Sequence, residues 1–374
     1  MRAMTTATSA RATVWPAVVL LLFLSGAARA ATEIRVAPGD PGGLEGARDR
    51  ARAMLRQRRG PLTILLAEGT YALERTLVLT ASDSGTARAP VTWKAVSGAR
   101  VRISGGRAIG GWTTAADPKI LGRLDPAVRA RVLVADLRAQ GVTDFGTFRR
   151  RGFGLPNTAS ALELIADDAI MPLARHPTSG WLEVSATVSG HSTELMAAPE
   201  PGRGGGGAIE RFAFQDAAVA RWTPAPDLWV HGYWTFDWAD THDPVVAFDP
   251  ARSEVSIRAP QSWYGVKTGC RFAFENALEA LDAPGEWWLD RAAGRLYFLP
   301  PAAGLPKRTV VTLLETPLVS MEGASRVSLE GLIFEDARVP VANRLGPENY
   351  GIININKHLR GGDGLINAAA MVGL

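Results

Sequence analysis

The chain has 374 residues and a formal net charge of +4, from 41 basic and 37 acidic residues. Three of the arginines lie in residues 1–30, which hold no acidic residue, so the rest of the chain has 38 basic against 37 acidic residues. A nucleic-acid-binding surface needs a basic stripe, and this near-neutral balance argues against nucleic acid as a partner. The single cysteine, Cys270, excludes an internal disulfide.

The first 30 residues have the pattern of a cleaved signal peptide. Arg2 and Arg11 give a positive start, residues 14–24 form a short apolar core, and residues 28–30 (ARA) match a cleavage site. A membrane-spanning helix needs about 20 apolar residues, roughly twice this run, so an uncleaved anchor is the weaker alternative. We therefore predict export to the periplasm or extracellular space, cleavage near Ala30/Ala31, and no membrane span in the mature chain.

After the signal peptide, one helix and then several short strands are predicted. Residues 43–58 place Leu44, Ala47 and Ala51 on one face and arginines on the other, which is typical of an amphipathic helix. No helix of useful length separates the β-rich runs that follow, which argues against βαβ winding. Their small turn residues fit either an antiparallel sandwich or a parallel β-helix. The runs are residues 62–66, 76–80, 90–95 and 101–104.

The middle of the chain differs in composition from its two flanks. Seven of the ten tryptophans that follow the signal peptide lie between Trp222 and Trp288. Short strands return in residues 310–314, 318–321 and 327–334, about nine residues apart, like the faces of stacked coils. The predicted organisation is a signal peptide (1–30), a helix and first β-helix strands (31–112), an inserted Trp-rich β domain (113–305), and a resumed coil with an atypical tail (306–374).

Three stretches carry a resemblance to a known family. They are LAEGTYALERTLVLTASDSGTARAPVTWKA followed by VRISGG, then DLWVHGYWTFDWAD, and then ENALEALDAPGEWWLDRAAGRLYFLPP. Together they resemble exported bacterial right-handed parallel β-helix proteins related to glycoside hydrolases that act on plant or microbial polysaccharides. The resemblance covers roughly residues 33–336. It implies a mainly β fold, a right-handed parallel β-helix that begins near residue 60 and resumes near residue 309, interrupted by the Trp-rich domain.

The carboxyl end departs from this family pattern. Family members continue for many coils after a segment like RVSLEGLIFEDAR, whereas this chain stops within 40 residues of it. In the tail, only residues 353–356 (ININ) alternate as a coil strand would. The resemblance places the catalytic carboxylates on the later coils, which have no matching positions here. We therefore expect a truncated front part of the family fold, inactive as given.

The densest acidic cluster supplies the weaker catalytic candidates within the chain. Glycoside hydrolysis uses two carboxyl groups roughly 5–9.5 Å apart, and Asp237, Asp240 and Asp243 lie close to His231 and His242. A spacing of three on a strand points neighbouring carboxylates to opposite faces, and a turn would bring them together. Asp237 and Asp240 are the candidates for catalysis, and the alternatives are the capping of turn amides or weak calcium ligation.

The tryptophans supply the candidates for substrate binding. Trp229, Trp234 and Trp238 are predicted either as a platform on which sugar rings stack or as part of the core. Trp287 and Trp288 are adjacent on a predicted strand, so their side chains point to opposite sides and at most one is expected to be buried.

Metal and cofactor motifs are absent from the sequence. The histidines have no HExxH spacing, and the run GRGGGG lacks the GK[ST] ending of a phosphate-binding loop, so neither a metal nor a cofactor is predicted. Two function classes remain open: a polysaccharide-degrading glycoside hydrolase, and a non-catalytic glycan-binding or structural module. A polysaccharide lyase relative is a third, because fold does not determine function. In each case the predicted partner is a polysaccharide or oligosaccharide.

Overall fold

The computed structural model shows a mainly β protein. Among the described residues, helical structure consists of two α-helices, of 13 and 4 residues, and three 3-10 turns, beside 28 strands. The predicted signal peptide, Trp238 and nearly all of the tail lie outside the described residues. The described residues are 32–57, 60–152, 158–159, 161–189, 209–225, 227–237, 239–258, 265–338, 340–341 and 372–373.

The elements follow in chain order. The first group is β1 (Thr32–Val36), α1 (Gly43–Leu55), β2 (Leu62–Leu66), β3 (Gly69–Ala72), β4 (Leu77–Thr80), β5 (Val91–Ala95), β6 (Val101–Ser104) and β7 (Gly106–Ala108). The second is β8 (Thr113–Thr114), α2 (Pro118–Leu121), β9 (Leu133–Asp136), β10 (Arg151–Gly152), β11 (Thr158–Ala159), β12 (Leu164–Ala166), β13 (Ala169–Ile170), β14 (Arg175–His176), β15 (Leu182–Ser189), β16 (Ile209–Phe214), β17 (Trp229–Tyr233), β18 (Thr241–Asp249), β19 (Glu254–Arg258), β20 (Arg271–Glu275), β21 (Trp287–Asp290) and β22 (Arg295–Phe298). The third is β23 (Thr309–Thr312), β24 (Val319–Glu322), β25 (Val327–Glu330), β26 (Leu332–Glu335), β27 (Pro340–Val341) and β28 (Val372–Gly373).

The predicted amino-terminal helix is present as α1, which ends at Leu55, three residues earlier than expected. Its apolar face buries Leu44, Ala47 and Ala51 against the neighbouring strands. On its other side, Arg52 donates from Nε and Nη2 to the carboxylate of Asp83, at 2.8 and 2.7 Å. This pair ties the helix to the turn that follows β4.

The flanking strands form three short sheets in which all pairing is parallel. One sheet has the order β1-β2-β5-β25, a second has β26-β6-β3, and a third has β28-β24-β4. Every second side chain points inward, as in β2, where Leu62, Ile64 and Leu66 are buried. Inward residues of all three sheets belong to one apolar core. The expected short parallel strands are therefore present, while the right-handed parallel β-helix itself stays a prediction.

Two details of the resumed coil were predicted wrongly. Strand β23 pairs antiparallel with β7 and β12, so the parallel strands resume only at β24. The run of residues 327–334 was read as one strand, but Gly331 has a φ of 68° and divides it into β25 and β26. A left-handed residue turns the chain from one sheet to the next, and glycine adopts that conformation without steric cost.

The middle of the chain contains a closed ring of six antiparallel strands. The ring runs β18-β17-β20-β15-β16-β19 and closes because β19 pairs back with β18. Closure removes exposed strand edges and encloses a packed interior. That interior is aromatic and includes Phe212, Phe272, Phe274 and Trp234, each fully buried. The β-rich character of this segment is confirmed; its boundaries at residues 113 and 305 stay predictions.

Trp234 fits inside the ring because a glycine leaves room for it. A Cβ atom added at Gly232 would lie 2.4 Å from the indole ring of Trp234, so any larger residue would collide with it. The indole Nε1 donates to Thr241 Oγ1 at 2.7 Å, which satisfies the polar atom in the interior. Packing and hydrogen bonding together fix this ring in the core.

The expectation for the paired tryptophans was wrong, because Trp287 and Trp288 are both buried, at 3% and 8% exposure. They do point to opposite sides of β21. Trp287 joins one apolar cluster with Leu164 and Leu296, and Trp288 joins the cluster that fills the ring. The sheet of β21, β22, β9 and β8 has an apolar cluster on each face, so neither side is open to solvent. Among the described residues, no helix is long and apolar enough to cross a membrane.

Candidate functional site

Two histidines occupy adjacent positions on the outer wall of the ring. Antiparallel pairing sets His231 of β17 directly opposite His242 of β18. Their neighbours Val230, Thr241 and Asp243 are fully buried and face the interior, so alternation directs both imidazoles outward. The two rings stack with centroids 3.9 Å apart and planes 10° from parallel.

Two carboxylates hold these rings in place. Nε2 of His231 lies 2.8 Å from Oδ2 of Asp240, and Nδ1 of His242 lies 2.7 Å from Oε2 of Glu275. Nδ1 of His231 is 4.0 Å from the other oxygen of Glu275, and Arg151 is 3.6 Å from the same carboxylate. We call His231, Asp240, His242 and Glu275 the histidine–carboxylate cluster.

Burial sets the charge states in this cluster. It lowers the pKa of His242 to about 4, against the opposing effect of Glu275, so that imidazole is neutral at neutral pH. Burial also acts to raise the pKa of Glu275, but His242, Arg151 and His231 hold it well below its usual range. Asp240 behaves likewise: burial acts to raise its pKa, but His231 and His242 together lower it by more, so the pKa lies below its ordinary value. Both carboxylates are therefore ionised.

Three members of the cluster have the donor atoms of a metal site. One ligand atom each from His231, Asp240 and His242 lie within 4.8 Å of one another. Oδ1 of Asp240 is buried and has no hydrogen-bond partner among the described residues. The sequence prediction of no metal rested on helical motif spacing. A cross-strand pair on a hairpin has no fixed spacing, and only a correct strand register would have revealed it.

An aromatic and cationic surface adjoins the cluster. Trp181 meets His231 and Tyr233 edge to face, with ring centroids 5.1 and 5.2 Å apart. The guanidinium of Arg271 lies 4.2 Å from the centroid of Tyr233, and that of Arg175 lies 4.7 Å from the Trp181 ring. All four of these side chains are partly exposed. We call Trp181, Tyr233, Arg175 and Arg271 the aromatic–arginine surface.

The structure places the three aspartates of the predicted cluster in three different surroundings. The Asp237 side chain is 83% exposed, 3.3 Å from Nε of Arg271. Asp240 belongs to the histidine–carboxylate cluster. Asp243 is inside the ring, where burial raises its pKa to about 6 although Arg150 pairs with it at 2.8 Å. A catalytic role for Asp237 or Asp240 stays a prediction.

The described tryptophans of the predicted sugar platform lie in the core. Trp229 is 7% exposed and packs against Phe148, with centroids 5.8 Å apart, and Trp234 is fully buried inside the ring. Trp238 lies outside the described residues. Burial leaves neither Trp229 nor Trp234 a free ring face, which favours the core interpretation. Sequence reasoning missed Trp181, because it lies outside the Trp-dense run that drew attention to the other residues.

Comparison with known proteins gives one informative likeness. No family model matches the chain, and no curated protein matches it. A solved structure titled "Glycoside hydrolase" superposes with a TM-score of 0.57 at 21% sequence identity. The match covers 82% of this chain and 51% of that chain, so this chain spans about half of the neighbour's length. At this identity the likeness concerns the fold alone.

Proposed function

We propose that this chain is the front part of a secreted, carbohydrate-active protein, a polysaccharide-degrading glycoside hydrolase. Its fold would be a right-handed parallel β-helix whose coils are interrupted by residues 113–305. The observation that carries the proposal is the fold likeness to a solved glycoside hydrolase over 82% of the chain. The parallel register that joins β2, β5 and β25 supports stacked coils, since each strand pairs with an equivalent strand of another turn.

The aromatic–arginine surface is the proposed sugar contact. Partly exposed Trp181 and Tyr233 offer apolar ring surface, and Arg271 beside them supplies planar hydrogen-bond donors. Arg175 donates to the carbonyls of Pro177 and Gly180 and packs against the Trp181 ring. Ligand sites typically combine aromatic side chains with a few oriented polar groups. This surface replaces the buried Trp229 and Trp234 as the place where we expect oligosaccharide to bind.

Binding to a panel of polysaccharides and oligosaccharides tests this proposal. We expect the wild-type chain to retain at least one glycan, and Trp181→Ala to weaken that binding about tenfold, or about 1.4 kcal/mol. Trp112→Ala is the matched control, because Trp112 is also partly exposed but donates to Thr309 at 3.1 Å, away from this surface. Failure to bind any glycan, or equal losses in both variants, would contradict the proposal.

The catalytic carboxylates are proposed to lie on coils beyond residue 374. A protein made of these residues should therefore bind polysaccharide without hydrolysing it. Release of reducing sugar by the purified chain, abolished by Asp237→Asn or Asp240→Asn, would instead place the catalytic centre on the outer wall of the ring.

Export is part of the same proposal. The secreted protein should begin at or near Ala31, because residues 28–30 carry the small-x-small cleavage pattern. Amino-terminal sequencing of the protein recovered from the periplasm or medium measures this directly. Recovery of protein that still carries Met1 in the membrane fraction would show that the apolar segment acts as an anchor.

A further inference from the structure

We propose that His231, His242 and Asp240 bind a divalent transition-metal ion of the zinc class, with Glu275 orienting the imidazole of His242. This site is independent of the proposed sugar contact, and either can fail without the other.

The orientation of the two rings carries the inference. Both Nδ1 atoms face Glu275, at 2.7 Å from His242 and 4.0 Å from His231. Nε2 of His231 lies 2.8 Å from Oδ2 of Asp240. One ligand atom each from His231, Asp240 and His242 lie within 4.8 Å of one another. A metal-bound histidine almost always has its second nitrogen held by a carboxylate or carbonyl, and Glu275 is placed to do this for His242.

The carboxylate of Asp240 has unused ligand capacity. Its side chain is only 9% exposed, and Oδ1 has no hydrogen-bond partner among the described residues. A buried carboxylate oxygen without a partner is costly and rare. A bound cation would satisfy this oxygen and would replace the hydrogen bond between Asp240 and His231.

The charges of the cluster suit a divalent cation. The side chains of Asp240 and Glu275 are 9% and 14% exposed, and Arg151 lies 3.6 Å from Glu275. The stacked imidazoles lie against these two carboxylates, at 2.8 Å for His231 with Asp240 and 2.7 Å for His242 with Glu275. The second carboxylate then balances the added positive charge.

The donor set selects the kind of metal. Two imidazoles and one carboxylate suit zinc and similar ions, whereas calcium takes six to eight oxygen ligands. Tetrahedral ligands about 2.1 Å from zinc are about 3.4 Å apart. The rings, now 3.9 Å apart and 10° from parallel, have to tilt so that their lone pairs converge on one point.

Calorimetry on untagged, chelator-treated protein tests the site, with zinc and calcium as separate titrants. We expect one equivalent of zinc to bind and calcium not to bind. His242→Ala should abolish zinc binding, and Glu275→Gln should weaken it about 10- to 100-fold, as for other residues that orient metal ligands. His176→Ala is the matched control. His176 pairs with Asp216 at 2.7 Å, and the side chains of this pair are 15% and 18% exposed, but His176 does not belong to the metal-type group.

A second readout keeps the test decisive if a variant does not fold. Cobalt bound to wild-type protein should give visible absorption bands typical of low coordination number, and zinc should remove them. The proposal is overturned if folded wild-type protein binds no zinc, if calcium binds more tightly than zinc, or if His176→Ala loses zinc to the same extent as His242→Ala.

Discussion

Glu286 should make the protein less stable as the pH rises. It is 3% exposed, and its Oε2 accepts backbone hydrogen bonds from Ala283 and Asp282 at 3.0 and 3.2 Å. Burial raises its pKa from the ordinary value of 4.5 to about 7, although these amides act to lower it. The folded protein therefore keeps this carboxyl protonated over a pH range in which the unfolded chain has lost the proton.

The sign and size of the effect follow from proton linkage. The stability associated with the neutral carboxyl is fully present below about pH 4.5 and is lost as the pH rises through about 7. At about 1.4 kcal/mol per pKa unit, the total loss is about 3 kcal/mol. For the 276 residues that the structure describes, this corresponds to a change of about 5 °C in Tm.

The substitution Glu286→Gln isolates this contribution. It preserves the shape and an acceptor oxygen but cannot ionise, so the Tm difference between variant and wild type should grow by about 5 °C from about pH 4 to pH 8. Circular dichroism melts at several pH values measure it. Other buried acids titrate in both proteins and cancel in the difference. Glu330→Gln is the control, because the Glu330 side chain is 48% exposed. Its Tm should change with pH in the same way as the Tm of wild type. A Glu286→Gln curve parallel to wild type would refute this reasoning.

Two further predictions concern packing and charge in the middle of the chain. Gly232→Ala should lower the free energy of unfolding by about 1–3 kcal/mol, because the added Cβ atom would lie 2.4 Å from the indole ring of Trp234. The control is Gly110→Ala, where an added Cβ atom has nothing within 4 Å, and its Tm should be close to that of wild type. Arg123→Ala should lower the free energy of unfolding by about 3–5 kcal/mol, because it removes the cation that pairs with Glu279, whose side chain is 2% exposed. Adding Glu279→Gln should recover part of that loss, and a further loss of stability would contradict the explanation.

The sequence predicted the elements that depend on local pattern. Helix α1 has an apolar face at helical spacing, and strands such as β2 and β5 alternate buried and partly exposed side chains. Each signal lies within one short run, so periodicity alone was enough. The turn at Gly331 was not predicted, because the sequence alone does not show that a glycine inside a β-rich run has a positive φ.

The features that the sequence did not reveal depend on pairing between strands that are distant along the chain. Closure of the six-stranded ring depends on β19 pairing with both β16 and β18, and no local pattern encodes that. The double burial of Trp287 and Trp288 follows from apolar clusters contributed by distant segments. The histidine–carboxylate cluster likewise needs the register that sets His231 opposite His242. In each case the missing information is which strands meet.

The parallel sheets also have a consequence for synthesis of the protein on the ribosome. Leu77 of β4 pairs with Val319 of β24, about 240 residues later. At about 5–20 residues per second, translation of that interval takes roughly 10–50 s. Until β24, β25 and β26 are synthesised, β4, β5 and β6 each have an unpaired edge, and exposed strand edges can pair with other chains. A nascent chain halted between these two points would present open strand edges, and we expect it to associate with other chains more readily than the completed protein.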